Sequence, residues 1–276
     1  MRSVTGAIHI GNDSEKRRTG LRELWIYREL FFFFSWRDIK VRYKQTFLGA
    51  GWAILQPFLA TGVFTLFFNK VAGIESDAVP YAVFAYLGLT YWNCFSSALG
   101  TVGNSLVSNT GVLTKIYFPR LIPPLSAVAL SVVDFFFASI IFVPILIYFK
   151  VTPQLLGILM ILPCLALVVL GALGIGIFFA ALNVKYRDVR SALPFITQLM
   201  LFATPVIYPV SRIPESLQIF TYLNPVAGAV STIRATMFGE PVPWTGFLIS
   251  FLSGIVILIF SFVYFKRSEK GFVDVL

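Results

Sequence analysis

Asn183-Val184-Lys185-Tyr186-Arg187-Asp188-Val189-Arg190 runs without a break into an apolar stretch that closes Ala203-Thr204-Pro205-Val206-Ile207-Tyr208-Pro209. A short basic turn leading into an apolar run of this length is how a membrane helix starts from the cytoplasmic side. The prolines at the far end remove backbone donors and push the residues before them out of helical geometry. The run is therefore expected to end in a break that redirects the chain, which a simple span would not need.

The rest of the chain fits that beginning. Of its 276 residues 57% are hydrophobic and 13% charged, where a soluble domain carries about a quarter charged. Several apolar runs exceed the roughly 18 residues that mark a spanning helix. The expected fold is an all-α polytopic membrane protein with six transmembrane helices, near 50–70, 81–105, 121–149, 155–182, 191–210 and 245–265. The first 20 residues form a polar tail, for which no cleavable signal peptide is expected. Residues 21–48 form a separate basic and aromatic segment, 50–265 a single six-span transmembrane domain, and 266–276 a cytoplasmic tail.

The net charge of +9 does not indicate nucleic acid, because no soluble basic face is present. Eighteen of the 22 Lys and Arg fall before the first span, near 106–120, at 183–190 or after the last span, and Lys70, Lys150, Arg212 and Arg234 fall on the other side. The positive-inside bias places the larger set, and both termini, in the cytoplasm. Cys94 and Cys164 lie inside apolar spans and read as small buried residues rather than a disulfide or metal pair.

Four segments carry more than topology. In 21–48, Trp36, Ile39, Tyr43 and Phe47 share one helical face with Arg37, Lys40 and Lys44 beside it, the pattern of an amphipathic helix at the headgroup level. One reading is a basic anchor. The other is a helix that meets an anionic lipid-linked substrate, each nearby cation adding about 1 kcal/mol. In the loop Ser108–Arg120, Val112, Ile116 and Tyr117 could share a face of a short helix ended by Pro119, which is expected to dock on a partner.

The outer segment 211–244 is too apolar for a solvated loop. Two short helices are expected there, about 214–223 and 225–238, with Asn224-Pro225 as N-cap and first-turn proline and Gly239 just past the end. They suit either a lid over an exit pathway or a scaffold capping the bundle. Along the second span Tyr81, Phe84, Tyr91, Trp92 and Phe95 cluster on one face, suited to lining a glycan channel or to plain packing. Asp134 is an acid deep inside a span. It has no evident intramembrane Lys or Arg partner, which leaves a hydrogen bond to a neighbouring helix or, second, proton coupling.

Enzyme chemistry finds no foothold. There is no Walker-type phosphate loop and no Cys/His cluster, and His9 is the single histidine, so the chain is not expected to hydrolyse ATP alone. A membrane glycosyltransferase would want acidic clusters in cytoplasmic loops. An ion-coupled carrier would want charge pairs across several spans.

Arg37-Asp38-Ile39-Lys40-Val41-Arg42-Tyr43-Lys44-Gln45-Thr46-Phe47-Leu48-Gly49 with Trp52 and Leu55-Gln56-Pro57 resembles the N-terminal signature of polysaccharide-export ABC transporter permeases. Lys115-Ile116-Tyr117-Phe118-Pro119-Arg120, the opening Asn183–Tyr208 segment and Leu223-Asn224-Pro225 resemble that family in the same order. The resemblance implies a multi-pass permease of the bacterial inner membrane that exports O-antigen, teichoic acid or capsular polysaccharide on a polyprenyl diphosphate lipid. It also implies a homodimer completed by two copies of a P-loop ATPase that binds the ATP and Mg, with no cofactor on this chain. The substrate diphosphate would then meet Arg37, Lys40, Arg42 and Lys44. The contact with the ATPase would involve Val112, Leu113, Lys115, Ile116 and Tyr117.

Overall fold

The computed structural model describes residues 25–44, 51–71, 73, 76, 78–116 and 118–271. Phe47, Tyr117 and the polar tail lie outside them. Among the described residues the regular structure is all helical. Helix α1 is Arg28–Lys44, and α2 is Gly51–Phe64, continued by π-helical turns over Thr65–Val71. Helix α3 is Tyr81–Ser108, α4 the single turn Thr110–Leu113, α5 Ile122–Tyr148 and α6 Leu155–Lys185. Helix α7 is Val189–Ala203, α8 Glu215–Thr221, α9 Pro225–Phe238 and α10 Trp244–Ser268.

Four helical stretches among the described residues are long and apolar enough to cross a membrane: Gly51–Val71, Ile122–Tyr148, Leu155–Lys185 and Trp244–Ser268. Two expected spans differ from these for separate reasons. Helix α3 has the length but carries Asn93, Ser96, Ser97, Thr101, Asn104 and Ser105, because it lies inside the bundle against α5 and α6. Several of those side chains bond back to their own helix, as Thr101 Oγ1 does to the Ser97 carbonyl at 2.9 Å and Asn104 Nδ2 to the Gly100 carbonyl at 2.8 Å. Such polar residues lower a helix's hydropathy without exposing it to lipid.

Helix α7 is shorter than the expected 191–210, with 15 residues ending at Ala203. Thr204 before Pro205 is extended (φ −101°, ψ 137°), as the ring of a following proline demands. From Thr204 to Ile207 the chain is irregular and buried.

The centre of the fold is α6, which packs on α3, α9 and α10. Small residues set those approaches. A Cβ on Gly174 would lie 3.0 Å from Ile257 Cγ2 and 3.1 Å from the Leu258 amide of α10, and one on Gly171 would lie 2.9 Å from Pro225 of α9. The two short helices expected over 214–223 and 225–238 form close to those bounds. Asn224 Oδ1 accepts from the Val226 amide at 3.0 Å, and Gly239 ends α9 at φ 80°, a left-handed conformation that favours glycine.

Their environments differ. Helix α9 is buried along nearly its whole length, whereas α8 leaves Leu217, Ile219 and Phe220 exposed, as the turn after it leaves Leu223. Ser250 of α10 donates to the Tyr222 carbonyl at 2.6 Å, and the Gln154 amide donates to the Met237 carbonyl at 3.0 Å. These bonds fix α9 as a member of the core.

Candidate functional site

Helix α1 runs beside α5 in the same direction for at least two turns. Ser35 Oγ donates to the Ser126 carbonyl, eight residues further along α1 Tyr43 donates to Asp134, and the Tyr43 ring meets Phe137 edge-on at 5.6 Å. This matched progression sets α1 alongside α5 from Ser126 to Asp134. Phe34 and Ser35 are buried, Trp36 is 67% exposed, and Tyr43 turns inward at the edge of the contact.

At its first end α1 grips the short segment after α3. Phe34 packs with Phe118 and Ile122, and Val112 and Leu113 lie against the same cluster. Burying a phenylalanine here contributes about 1.5–3 kcal/mol. Arg37 crosses to Asn109 at the end of α3, donating to its Oδ1 at 2.8 Å while pairing with Asp38 at 2.7 Å. The short helix expected within Ser108–Arg120 covers Thr110–Leu113, and the segment's residues divide by exposure. Val112 and Leu113 face α1, and Lys115 and Ile116 remain exposed.

At its other end α1 supplies the partner that the sequence did not reveal for Asp134. Arg42 Nη2 sits 3.0 Å from Asp134 Oδ2, and Tyr43 donates to Oδ1. Burial, and after it the Asp134 hydrogen bond, raise the Tyr43 pKa well above the ordinary phenol range, so the phenol stays a donor. Asp134 lies 12 residues into α5, about 18 Å from its start at 1.5 Å per residue. Beside the pair a cavity of about 270 Å³ opens between α1, α2, α3 and α5, lined by Arg42, Gln56, Asn93, Ser96, Ser97 and Asp134.

The larger hollow, about 620 Å³, is a groove of apolar residues such as Phe58, Leu59, Val63 and Ile145. Phe58, Leu59 and Val63 stand on the outer surface of the subunit, so the groove is a lipid-facing crevice by its chemistry. The polar cavity is the more informative of the two.

Of the four cations expected to meet a diphosphate, Arg37 and Arg42 are paired within the protein, while Lys40 and Lys44 are exposed on the outside of α1. The aromatic group of α3 lies in the packed interior. Tyr81, Phe84, Tyr91, Trp92 and Phe95 are all buried, with Tyr81 donating to the Ile207 carbonyl at 2.7 Å and Tyr91 to the Ile161 carbonyl at 3.1 Å.

A second constellation went unread in the sequence, where Arg234 counted only as an outer-side charge. Arg234 of α9 is 4% exposed. Its guanidinium donates to the Pro205 carbonyl at 2.8 Å, the Val206 carbonyl at 2.5 Å and the Phe84 carbonyl at 2.9 Å, and lies 3.4 Å from the centre of the Phe84 ring. Irregular backbone inside a membrane protein must find donors within the protein, and Arg234 supplies them to the break after α7. Gly88 makes room, because a Cβ there would collide with the guanidinium. The signal for it was an arginine amid the apolar run Val226–Phe238.

The family model described as ABC-2 type transporter matches residues 29–238. The chain belongs to that family. The matched range opens inside α1 and closes on the last residue of α9, so α1, α8 and α9 are parts of the ABC-2 transporter unit. The O-antigen export system permease protein RfbA of Klebsiella pneumoniae is 28% identical over 242 residues, covering 87% of this chain and 92% of that protein. A protein of the same name from Myxococcus xanthus is 28% identical over 255 residues, 91% of this chain and 96% of its own. The capsule polysaccharide export inner-membrane protein CtrC of Neisseria meningitidis is 24% identical over 268 residues, 91% and 95% respectively. The motif-based resemblance to polysaccharide-export permeases thus holds across nearly the whole chain. As an ABC-2 transporter with several apolar membrane-crossing helices, it is a multi-pass protein of the inner membrane.

Proposed function

We propose that this chain is the permease subunit of an ATP-driven exporter that moves a polyprenyl-diphosphate-linked polysaccharide, O-antigen in the first instance, to the outer side of the inner membrane. The reading rests chiefly on similarity to O-antigen export permeases over nearly the full length of both partners. Capsular polysaccharide is the second reading, supported by the lower identity to the capsule exporter protein. Teichoic acid remains a third glycan of the same chemistry.

In this proposal two copies of the chain form the channel, each crossing the membrane six times with α3 and α7 as the two less apolar spans and both termini in the cytoplasm. Helices α8 and α9 re-enter from the outer side. Two separate ATPase subunits hold the ATP and Mg and press on Lys115 and Ile116. Their push reaches α1 through Val112, Leu113 and the Arg37–Asn109 bond. The exposed amines of Lys40 and Lys44 receive the diphosphate at the inner leaflet.

The test is a reconstituted complex of the permease and its ATPase, with transport of lipid-linked glycan and glycan-stimulated ATP hydrolysis as readouts. The double variant Lys40→Glu/Lys44→Glu should lose more than tenfold in transport while its unfolding temperature and ATPase binding stay unchanged. Those two lysines are the cleaner probe, since reversing Arg37 would also break its bond to Asn109. Normal transport by the double variant would remove the diphosphate role.

A further inference from the structure

The apolar groove of about 620 Å³ lies between α2, the first turn of α3 and the end of α5. Phe58, Leu59, Val63 and Leu66 of α2 form one wall, facing Ile145 and Phe149. Its two threonines offer an occupant nothing polar. Thr61 Oγ1 donates to the Pro57 carbonyl at 2.7 Å, and the Thr65 hydroxyl oxygen is fully buried. The charged side chain that borders the groove is the exposed Lys70, and no carboxylate among the described residues pairs with it.

The sequence of α2 builds this shape. Phe58, Gly62, Leu66 and Lys70 follow one another at four-residue intervals. On a helix of 3.6 residues per turn such a row drifts around the axis. The wider π-helical turns over Thr65–Val71 turn it back, and all four residues line the groove. A Cβ on Gly62 would meet nothing within 4 Å, whereas Gly88, Gly171 and Gly174 are each pressed by another element. No neighbour in this chain therefore requires the glycine at 62, although glycine weakens a helix interior. Gly51–Val71 is also the least covered of the four membrane-crossing stretches. Its open face is completed from outside the subunit.

The chemistry selects what completes it. A neutral hydrocarbon would satisfy the walls and leave the amine without a counter-charge. A lipid with a phosphate at the head of its tail satisfies both. Lys70 stands one residue before the end of the spanning stretch, at headgroup level when Phe58 to Leu66 lie in hydrocarbon. From Phe58 to Lys70 the helix rises about 18 Å, close to the depth of one leaflet, about 15 Å of hydrocarbon. One acyl chain fits that length, and one amine balances the single charge of a phosphodiester. A diphosphate would bring more negative charge than one lysine meets.

We propose that the groove between α2, α3 and α5 binds one anionic membrane phospholipid, its acyl chain along Phe58 to Leu66 and its phosphate on Lys70. The lipid holds α2, the span with least protein around it, against α3 and α5. The site is separate from the export reading and does not depend on it.

Native mass spectrometry of the whole chain, released from detergent holding equal amounts of phosphatidylglycerol and phosphatidylcholine, counts the lipids retained. Phosphatidylglycerol should be kept about fivefold over phosphatidylcholine, the ratio that about 1 kcal/mol for one lysine beside an anionic headgroup gives. Lys70→Gln should bring the ratio to one. Gly62→Leu, whose side chain enters open space, should reduce retention of both lipids while helix content stays unchanged. Phosphatidylglycerol should also raise the unfolding temperature of the unaltered chain more than that of Lys70→Gln.

A preference that survives Lys70→Gln, or full retention in Gly62→Leu, would overturn the site. Displacement of phosphatidylglycerol by an equal amount of polyprenyl diphosphate would overturn it too, by assigning the groove to a substrate lipid. So would a Gly62→Leu protein that loses the mass of a second copy rather than of a lipid. The export reading stands or falls on transport, which none of these outcomes measures.

Discussion

Arg234 and Arg42 are both held inside this permease, in opposite ways. Arg234 is almost wholly buried, and its guanidinium donates to the neutral carbonyls of Phe84, Pro205 and Val206. Arg42 keeps 39% of its side chain exposed, meets a carboxylate, and borders a polar cavity. The first arrangement closes off backbone that has left helical geometry and leaves little room for a ligand. The second leaves polar capacity facing space. A buried cation in a membrane protein is a functional candidate by default, and its partners decide which way the candidate falls.

Breaking the first arrangement should cost most. Arg234→Met would strand three buried carbonyls, each worth about 1–3 kcal/mol when left unpaired. The expected outcome is loss of monodisperse permease after detergent extraction, with Arg234→Lys recovering part of it because a point charge cannot reach all three carbonyls. Gly88→Val should mimic the loss by taking the guanidinium's place. An Arg234→Met protein that unfolds at the unaltered temperature would show that the carbonyls find other donors.

Asp134→Ala should cost less in stability than Arg234→Met, about 1 kcal/mol, because its partner Arg42 is half exposed and can turn to water. Transport should fall by a larger factor than that stability loss alone accounts for. Equal losses in both would make Asp134 a packing residue like Arg234, and the contrast would collapse.

The smallest effect on folding belongs to the exposed end of the coupling segment. Lys115→Glu with Ile116→Asp should leave unfolding unchanged within about 0.5 kcal/mol, as substitutions on an exposed surface do. Co-purification of the ATPase should nevertheless drop sharply. Undiminished co-purification would move the partner contact away from this turn.

Much of this was readable in the chain before any packing was known, because it depends on properties local to a segment. The ends of α5 and α6 fall within a few residues of the expected spans, since a long apolar run bounded by polar or proline-rich residues specifies its own helix. The cap and stop of α9 were legible for the same reason: Asn224, Pro225 and Gly239 act on their immediate neighbours. The end of α7 was misplaced by several residues because Pro205 and Pro209 both signal a break. The residue before the first proline proved decisive. Periodicity showed that α1 has two sides, but only the packing shows that Phe34 and Ser35 lie on the one that meets protein.

By itself the sequence determined the membrane class, the approximate helices and the resemblance to export permeases. Run length and short motifs survive without knowledge of partners. Only the tertiary structure decided that α9 is core while α8 is not, and that α1 docks along α5. It alone joined Arg42 to Asp134 and Arg234 to Phe84, the latter pair 150 residues apart. In an apolar medium the cost of an unmet charge or carbonyl is settled by whichever group the fold brings alongside, and distance along the chain carries no record of that.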